Sequence, residues 1–173
     1  ASHPSEALSR DDARWLERVT YGLDSASIAR FQRLGRARFL DEQLAAHDLP
    51  LPPDAAAALA ATPGADTSLA ATLEHVREER RRLARSASDA DTTEARKTMR
   101  REGEELVQGA ATRELLQAVY SPAQLKEQMV WFWLNHFSVF AGKAQVRWLV
   151  ADYADHAIRP NALGKFRDLV MAT

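Results

Sequence analysis

The stretch SPAQLKEQMVWFWLNHFSVFAGK, residues 121–143, decides the fold class of this chain. It opens with a serine that can cap a helix, a proline at the first helical position and a glutamine at the third. From Met129 onward the stretch is apolar on all sides, which is typical of a helix in the centre of a domain. We therefore predict a helix that runs from Pro122 through Phe140 and is buried on most sides.

The rest of the chain has the composition of a helical protein. Of its 173 residues, seven are glycine and seven are proline, and no segment alternates between apolar and polar residues over a sustained run. Alanine, leucine, arginine and glutamate dominate, which favours helices over sheets. We predict an all-α fold, one helical domain over residues 1–173 with an orthogonal core. Besides the central helix, the pattern predicts helices over residues 9–22, 24–35, 36–47, 145–158 and 162–173, and a short alanine helix that ends at Pro63-Gly64.

The middle of the chain carries two narrow apolar stripes on either side of the polar turn SASDADTT, residues 86–93. Stripes of this width predict an antiparallel helical hairpin over about residues 67–109, inserted into the domain and projecting from it. Residues 74–105 contain nine basic and nine acidic side chains, so the charge is balanced. We interpret the hairpin as a solvated arm that could contact a protein partner, and not as a nucleic-acid patch.

Bulk properties exclude several classes of function. The net charge of -1 lacks the basic footprint of a nucleic-acid-binding domain. No apolar run approaches the roughly 18 residues of a transmembrane helix, and the first residues do not form a signal peptide. The absence of cysteine excludes disulfides, thiolate metal ligands and a cysteine nucleophile.

Asn135 and His136 are polar residues in the most apolar helix, so they are the first candidates for a site. An unpartnered buried polar group costs about 1–3 kcal/mol, so both should find partners. We expect His136 to be buried and hydrogen-bonded, with Trp133 packed near Trp15. One interpretation makes the pair a structural tie between helices, and the other makes His136 a metal ligand or general base.

Three charged or imidazole side chains downstream extend this hypothesis. Asp152 and His156 are four residues apart and share a helix face, so together with His136 they would supply two histidines and a carboxylate for a metal. Arg159 should pair with a carboxylate such as Asp155 or Asp168, and it could also hold an anionic substrate. No glycine-rich phosphate loop or other cofactor motif occurs, so the sequence specifies no cofactor.

Three ordered motifs resemble a known family. The segments RVTYG at residues 18–22, WLNHF at 133–137 and IRPNALGKFRDL at 158–169 are similar to motifs at the start of a bacterial family catalogued as domain of unknown function 1800. The resemblance implies a functional role for Asn135, His136 and Arg159.

The resemblance also implies an exported protein, periplasmic or extracellular, with a longer chain of several hundred residues. The remainder of that chain would then cover the apolar face of residues 164–173. Two function hypotheses follow. The first is a binding or scaffold module, and the second is an enzyme, a metal-assisted hydrolase or an oxidoreductase, with His136 in its site.

Overall fold

The computed structural model describes residues 8–45, 49–86, 89–143 and 145–173, and over these ranges the chain is helical and contains no β-strand. The α-helices of the described ranges are α1 (Arg10–Val19), α2 (Ser25–Ala45), α3 (Pro53–Ala60), α4 (Leu69–Arg85), α5 (Asp89–Tyr120), α6 (Gln124–His136), α7 (Val146–Asp152) and α8 (Phe166–Ala172). A π-helical segment (Tyr153–Ile158) and a 3₁₀ turn (Arg159–Asn161) connect α7 with α8. No described helix is long and apolar enough to cross a membrane. The prediction of an all-α fold is confirmed.

The first helix begins where the sequence predicts. The Ser9 hydroxyl accepts a hydrogen bond from the backbone N–H of Asp12 at 3.1 Å and donates one to the Asp12 carboxylate at 2.7 Å. This reciprocal cap fixes the start of α1. The helix then places Leu16 against Phe31 and Phe39, where all three are buried. These contacts hold α1 against α2.

Gly35 divides α2 into two helical runs. Its φ of 71° lies in the left-handed region, which costs glycine little and interrupts regular helical backbone. The interruption agrees with the predicted boundary between the helices over residues 24–35 and 36–47. The predicted end of the second helix at His47 lies outside the described residues.

A second buried cluster forms where α6 meets the π-helical segment and α8. Trp133 packs against this cluster, and its indole N–H donates to the carbonyl oxygen of Ala162 at 2.9 Å. The expectation that Trp133 would pack near Trp15 is therefore wrong, because Trp15 belongs to the cluster around α1 and α2. The buried members of the second cluster are Val130, Ile158, Ala162 and Leu169.

The central helix is shorter and more exposed than its apolarity predicts. It ends at His136, and Ser138 follows in the left-handed region with a φ of 53°, so it does not reach Phe140. Trp131 is 57% exposed and Phe132 is 49% exposed. The prediction of burial on most sides is wrong because the described parts of the chain leave these two side chains of α6 largely uncovered.

The long helix α5 lies against the rest of the chain at two glycines. A Cβ at Gly109 would collide with the backbone carbonyl of Pro63, and one at Gly103 would meet the side chain of Arg147. Glycine at both positions therefore permits close approach of neighbouring segments, and α5 continues through Gly109 without a break. The predicted end of the hairpin near residue 109 therefore differs from the structure. The projection of the hairpin over residues 67–109 from the domain stays a prediction.

Candidate ligand-binding site

Five charged side chains meet where α5, α6, the π-helical segment and the 3₁₀ turn come together. Arg159 lies at the centre, with only 12% of its side chain exposed. Its guanidinium is 2.5 Å from a carboxylate oxygen of Glu114, bonds to Glu127 and lies 3.4 Å from Asp155. Arg113, also buried, lies 3.7 Å from the second oxygen of Asp155. We call this set the charge cluster: Arg113, Glu114, Glu127, Asp155 and Arg159.

The π-helical segment positions two members of the cluster. It contains Asp155, and Arg159 follows directly after it. A π-helical turn is rare and occurs frequently at functional sites, because its wider winding redirects the side chains that follow. The combination of rare backbone and buried charge marks this region as a candidate site.

Burial shifts the pKa values of groups in and beside the cluster. It raises the pKa of Glu114, and the attraction of Arg159 only partly opposes that effect. Burial acts to lower the pKa of Arg159, but Glu114, Glu127 and Asp155 outweigh it, so the pKa is raised and the guanidinium stays charged. Burial together with Glu114 and Glu127 raises the pKa of Tyr21 to about 12. The cluster is therefore an environment that disfavours additional negative charge.

An open cavity of about 760 Å³ adjoins the charge cluster between α5 and α6, and Glu114 belongs to both. We call it the α5–α6 cavity. Its acidic, aromatic and amide lining residues are Asp24, Glu114, Tyr21, Trp131, Gln124 and Asn135. The remaining lining residues are glycine or aliphatic: Gly22, Val107, Ala110, Ala111, Leu115, Ala118, Val119, Leu134, Val139, Ala141, Val150 and Ala154. The volume and the apolar walls with few polar groups are typical of small-molecule sites.

Three polar side chains of this lining donate hydrogen bonds to backbone carbonyls. The Tyr21 hydroxyl donates to a backbone carbonyl at 3.0 Å, and the Asn135 amide nitrogen donates to another at 2.7 Å. The amide nitrogen of Gln124 donates to two backbone carbonyls, and its oxygen accepts from the backbone N–H of Tyr21. Because carbonyls only accept and a backbone N–H only donates, these partners fix both amide orientations.

The three sequence-predicted catalytic residues do not share one position. Asn135 lines the α5–α6 cavity and Arg159 lies in the charge cluster. His136 is exposed and stacks on Phe132, with ring centroids 5.6 Å apart. The expectation that His136 is buried is wrong, because α6 ends at this residue and its buried face lies elsewhere. Whether any of the three is catalytic stays a prediction.

Replacing His136 by alanine should therefore change the free energy of unfolding by less than about 1 kcal/mol, since substitutions at exposed positions rarely do more. Urea denaturation followed by circular dichroism measures the difference. Loss of a buried, hydrogen-bonded imidazole would lower the free energy of unfolding by about 1–3 kcal/mol. A measured loss of that size would contradict the exposed position of His136.

The proposed metal ligands are only partly brought together. Asp152 and His156 form a pair 2.9 Å apart on the outer side of the helix. Within the described residues, no three histidine, aspartate or glutamate side chains are arranged to hold a metal ion. The three-residue set with His136 is therefore not assembled in this structure, and its metal role stays a prediction.

Sequence reasoning found part of the charge cluster. The pairing of Arg159 with Asp155 is present as predicted, whereas Asp168 is not among its ion-pair partners in the described chain. Glu114 and Glu127 were missed, although Glu127 carried a signal. Glu127 lies three residues before Val130, on the buried face of α6. A carboxylate on a buried helix face requires a cationic partner, which Arg159 supplies.

One comparison with known proteins gives a match. A family model described as a protein of unknown function, DUF1800, matches residues 14–173. Neither the curated proteins nor the solved structures give a match. The matched range includes the charge cluster and the lining of the α5–α6 cavity.

Proposed function

The chain belongs to the DUF1800 family of proteins of unknown function, and from this premise we propose that it is an exported binding module. Its ligand is a small, largely apolar molecule held in the α5–α6 cavity. Export rests on the family resemblance of the sequence. As further partners we propose the remainder of a longer chain and a protein that contacts the charged helices α4 and α5.

The observation that carries the proposal is the cavity itself. Its volume of about 760 Å³ lies in the range of ligand pockets, about 300–1,000 Å³. Leu115, Val119 and Trp131 leave large apolar surfaces exposed at its mouth. Burying such surface against an apolar molecule is favourable by about 25 cal/mol per Å². The same residues would otherwise remain in contact with water.

The geometry gives less support to the alternative of an enzyme with His136 in its site. His136 is exposed, lies outside the lining of the α5–α6 cavity and contacts aromatic rings. A binding role needs only the apolar walls and polar groups that the cavity already has.

Binding of 1-octanol, a neutral apolar probe, tests the proposal. We expect saturable binding, with NMR amide shifts concentrated on α5 and α6. Ala111→Trp should weaken the affinity at least tenfold, because Ala111 is exposed and lines the cavity. Thr112→Trp is the matched control, since Thr112 is the next residue of α5, is also exposed and does not line the cavity.

The control variant should retain affinity within about twofold of the original chain. If Ala111→Trp does not fold, Leu115→Trp serves instead, because Leu115 is also exposed and lines the cavity. Absence of saturable binding, or equal affinities for the cavity variant and its control, would show that the cavity is not a binding site.

A further inference from the structure

We propose that the ligand of the α5–α6 cavity carries a positive charge, and that it is an organic amine or ammonium ion with an apolar body. This inference rests on the proposed function and adds the chemical class of the ligand.

The charge of the cavity lining has one sign. Asp24 and Glu114 contribute carboxylates, and none of the described residues that line the cavity is basic. Burial acts to raise the pKa of Asp24, but hydrogen bonds from Ser27 and Ala26 outweigh it and keep the carboxylate ionised. An anionic ligand would therefore meet like charge, whereas a cation would meet opposite charge in a partly desolvated space.

The nearby guanidinium groups do not reverse this balance. In the charge cluster, three carboxylates face the two guanidinium groups of Arg113 and Arg159. Neither arginine lines the α5–α6 cavity. Arg159 is already bonded to carboxylates through all three of its nitrogens. An anion would have to displace one of those carboxylates to reach it.

The hydrogen-bonding groups of the lining also suit a donor. Tyr21, Gln124 and Asn135 each donate to backbone carbonyls, as described above. The carboxylates of Asp24 and Glu114 act only as acceptors, and the Asn135 amide oxygen is a further acceptor. An ammonium group supplies donors and no acceptor, which complements these carboxylate and amide oxygens.

Two aromatic rings complete the match. Tyr21 and Trp131 both line the cavity, and each has about half of its surface exposed. The face of an aromatic ring attracts a cation, most strongly for tryptophan. The aliphatic residues of α5 would contact the apolar body of the same ligand.

Three probes of equal chain length test the inference at pH 7 and below their micelle concentrations: octylamine, 1-octanol and sodium octanoate. We expect octylamine to bind at least tenfold more tightly than 1-octanol, and octanoate to bind more weakly than 1-octanol. Increasing the salt concentration should reduce the preference for the amine, because salt screens the carboxylates at this open site.

Asp24→Asn should reduce the preference for octylamine over 1-octanol at least threefold without unfolding the chain, because asparagine also caps helices well. Glu114→Gln should reduce it further, provided that circular dichroism shows a folded chain. Asp41→Asn is the matched control, since Asp41 is an exposed carboxylate of α2 outside the cavity lining, and it should leave the preference unchanged.

The outcomes separate the inference from the proposed function. If 1-octanol binds in the cavity and octylamine binds no more tightly, the inference is wrong and the proposed function stands. A preference for the amine that survives Asp24→Asn and a folded Glu114→Gln also overturns the inference. If no probe binds saturably, the proposed function fails and the inference fails with it.

Discussion

Replacing Arg159 by alanine should lower the free energy of unfolding by about 3–5 kcal/mol. The substitution removes the cation shared by Glu114, Glu127 and Asp155. Glu127 is the most affected, because only 5% of its side chain is exposed and it cannot recover its charge interactions from water. Urea denaturation at pH 7 measures the loss directly.

A surface ion pair provides the matched control. Arg36 lies 2.7 Å from a carboxylate oxygen of Asp12, but 48% of its side chain is exposed. Arg36→Ala should therefore cost less than about 1 kcal/mol. Combining Arg159→Ala with Glu127→Gln should restore part of the loss, because the amide no longer buries an unpaired charge. Equal losses for Arg159→Ala and Arg36→Ala would contradict a structural role of the charge cluster.

Replacing Trp133 by alanine should lower the free energy of unfolding by about 3–5 kcal/mol. The indole packs between Phe137 and Phe166, with ring centroids 5.9 Å and 5.7 Å away. Its N–H also satisfies the carbonyl oxygen of Ala162. The substitution therefore leaves a void between α6 and α8 and an unsatisfied acceptor beside the 3₁₀ turn.

Trp131→Ala is the control, two residues earlier in the same helix. Because Trp131 is 57% exposed, its removal should cost less than about 1 kcal/mol of stability. It should nevertheless weaken binding of octylamine, since Trp131 lines the α5–α6 cavity. If both tryptophans contributed equally to stability, the assignment of the buried face of α6 would be wrong.

Local sequence signals predicted much of the fold. The hydrogen bond between Ser9 and Asp12 fixes the start of α1 within four residues. Gly35 interrupts α2 because glycine readily adopts a positive φ. The pairing of Arg159 with Asp155 was predictable for the same reason, because the two residues are four apart. Each of these features depends on neighbours in the sequence, so no knowledge of the packing is needed.

The parts that escaped prediction depend on distant contacts. Glu114 lies 45 residues before Arg159, and Glu127 lies 32 residues before it, so their meeting follows from the packing of α5 on α6 and the π-helical segment. The apolarity of α6 did not reveal which face would be covered. The predicted burial of His136 was therefore wrong, and the α5–α6 cavity was not predicted.

The π-helical segment determines how the chain tolerates changes in length. Each residue of a helical segment adds a rotation about the helix axis, so removing one residue from Tyr153–Ile158 would change the rotational phase of all that follows. Arg159 would then leave its carboxylates, and Leu169 would rotate out of the second buried cluster. A substitution at an exposed position of this segment, such as His156, leaves that phase unchanged, whereas a single deletion would disconnect both the charge cluster and α8 from their partners.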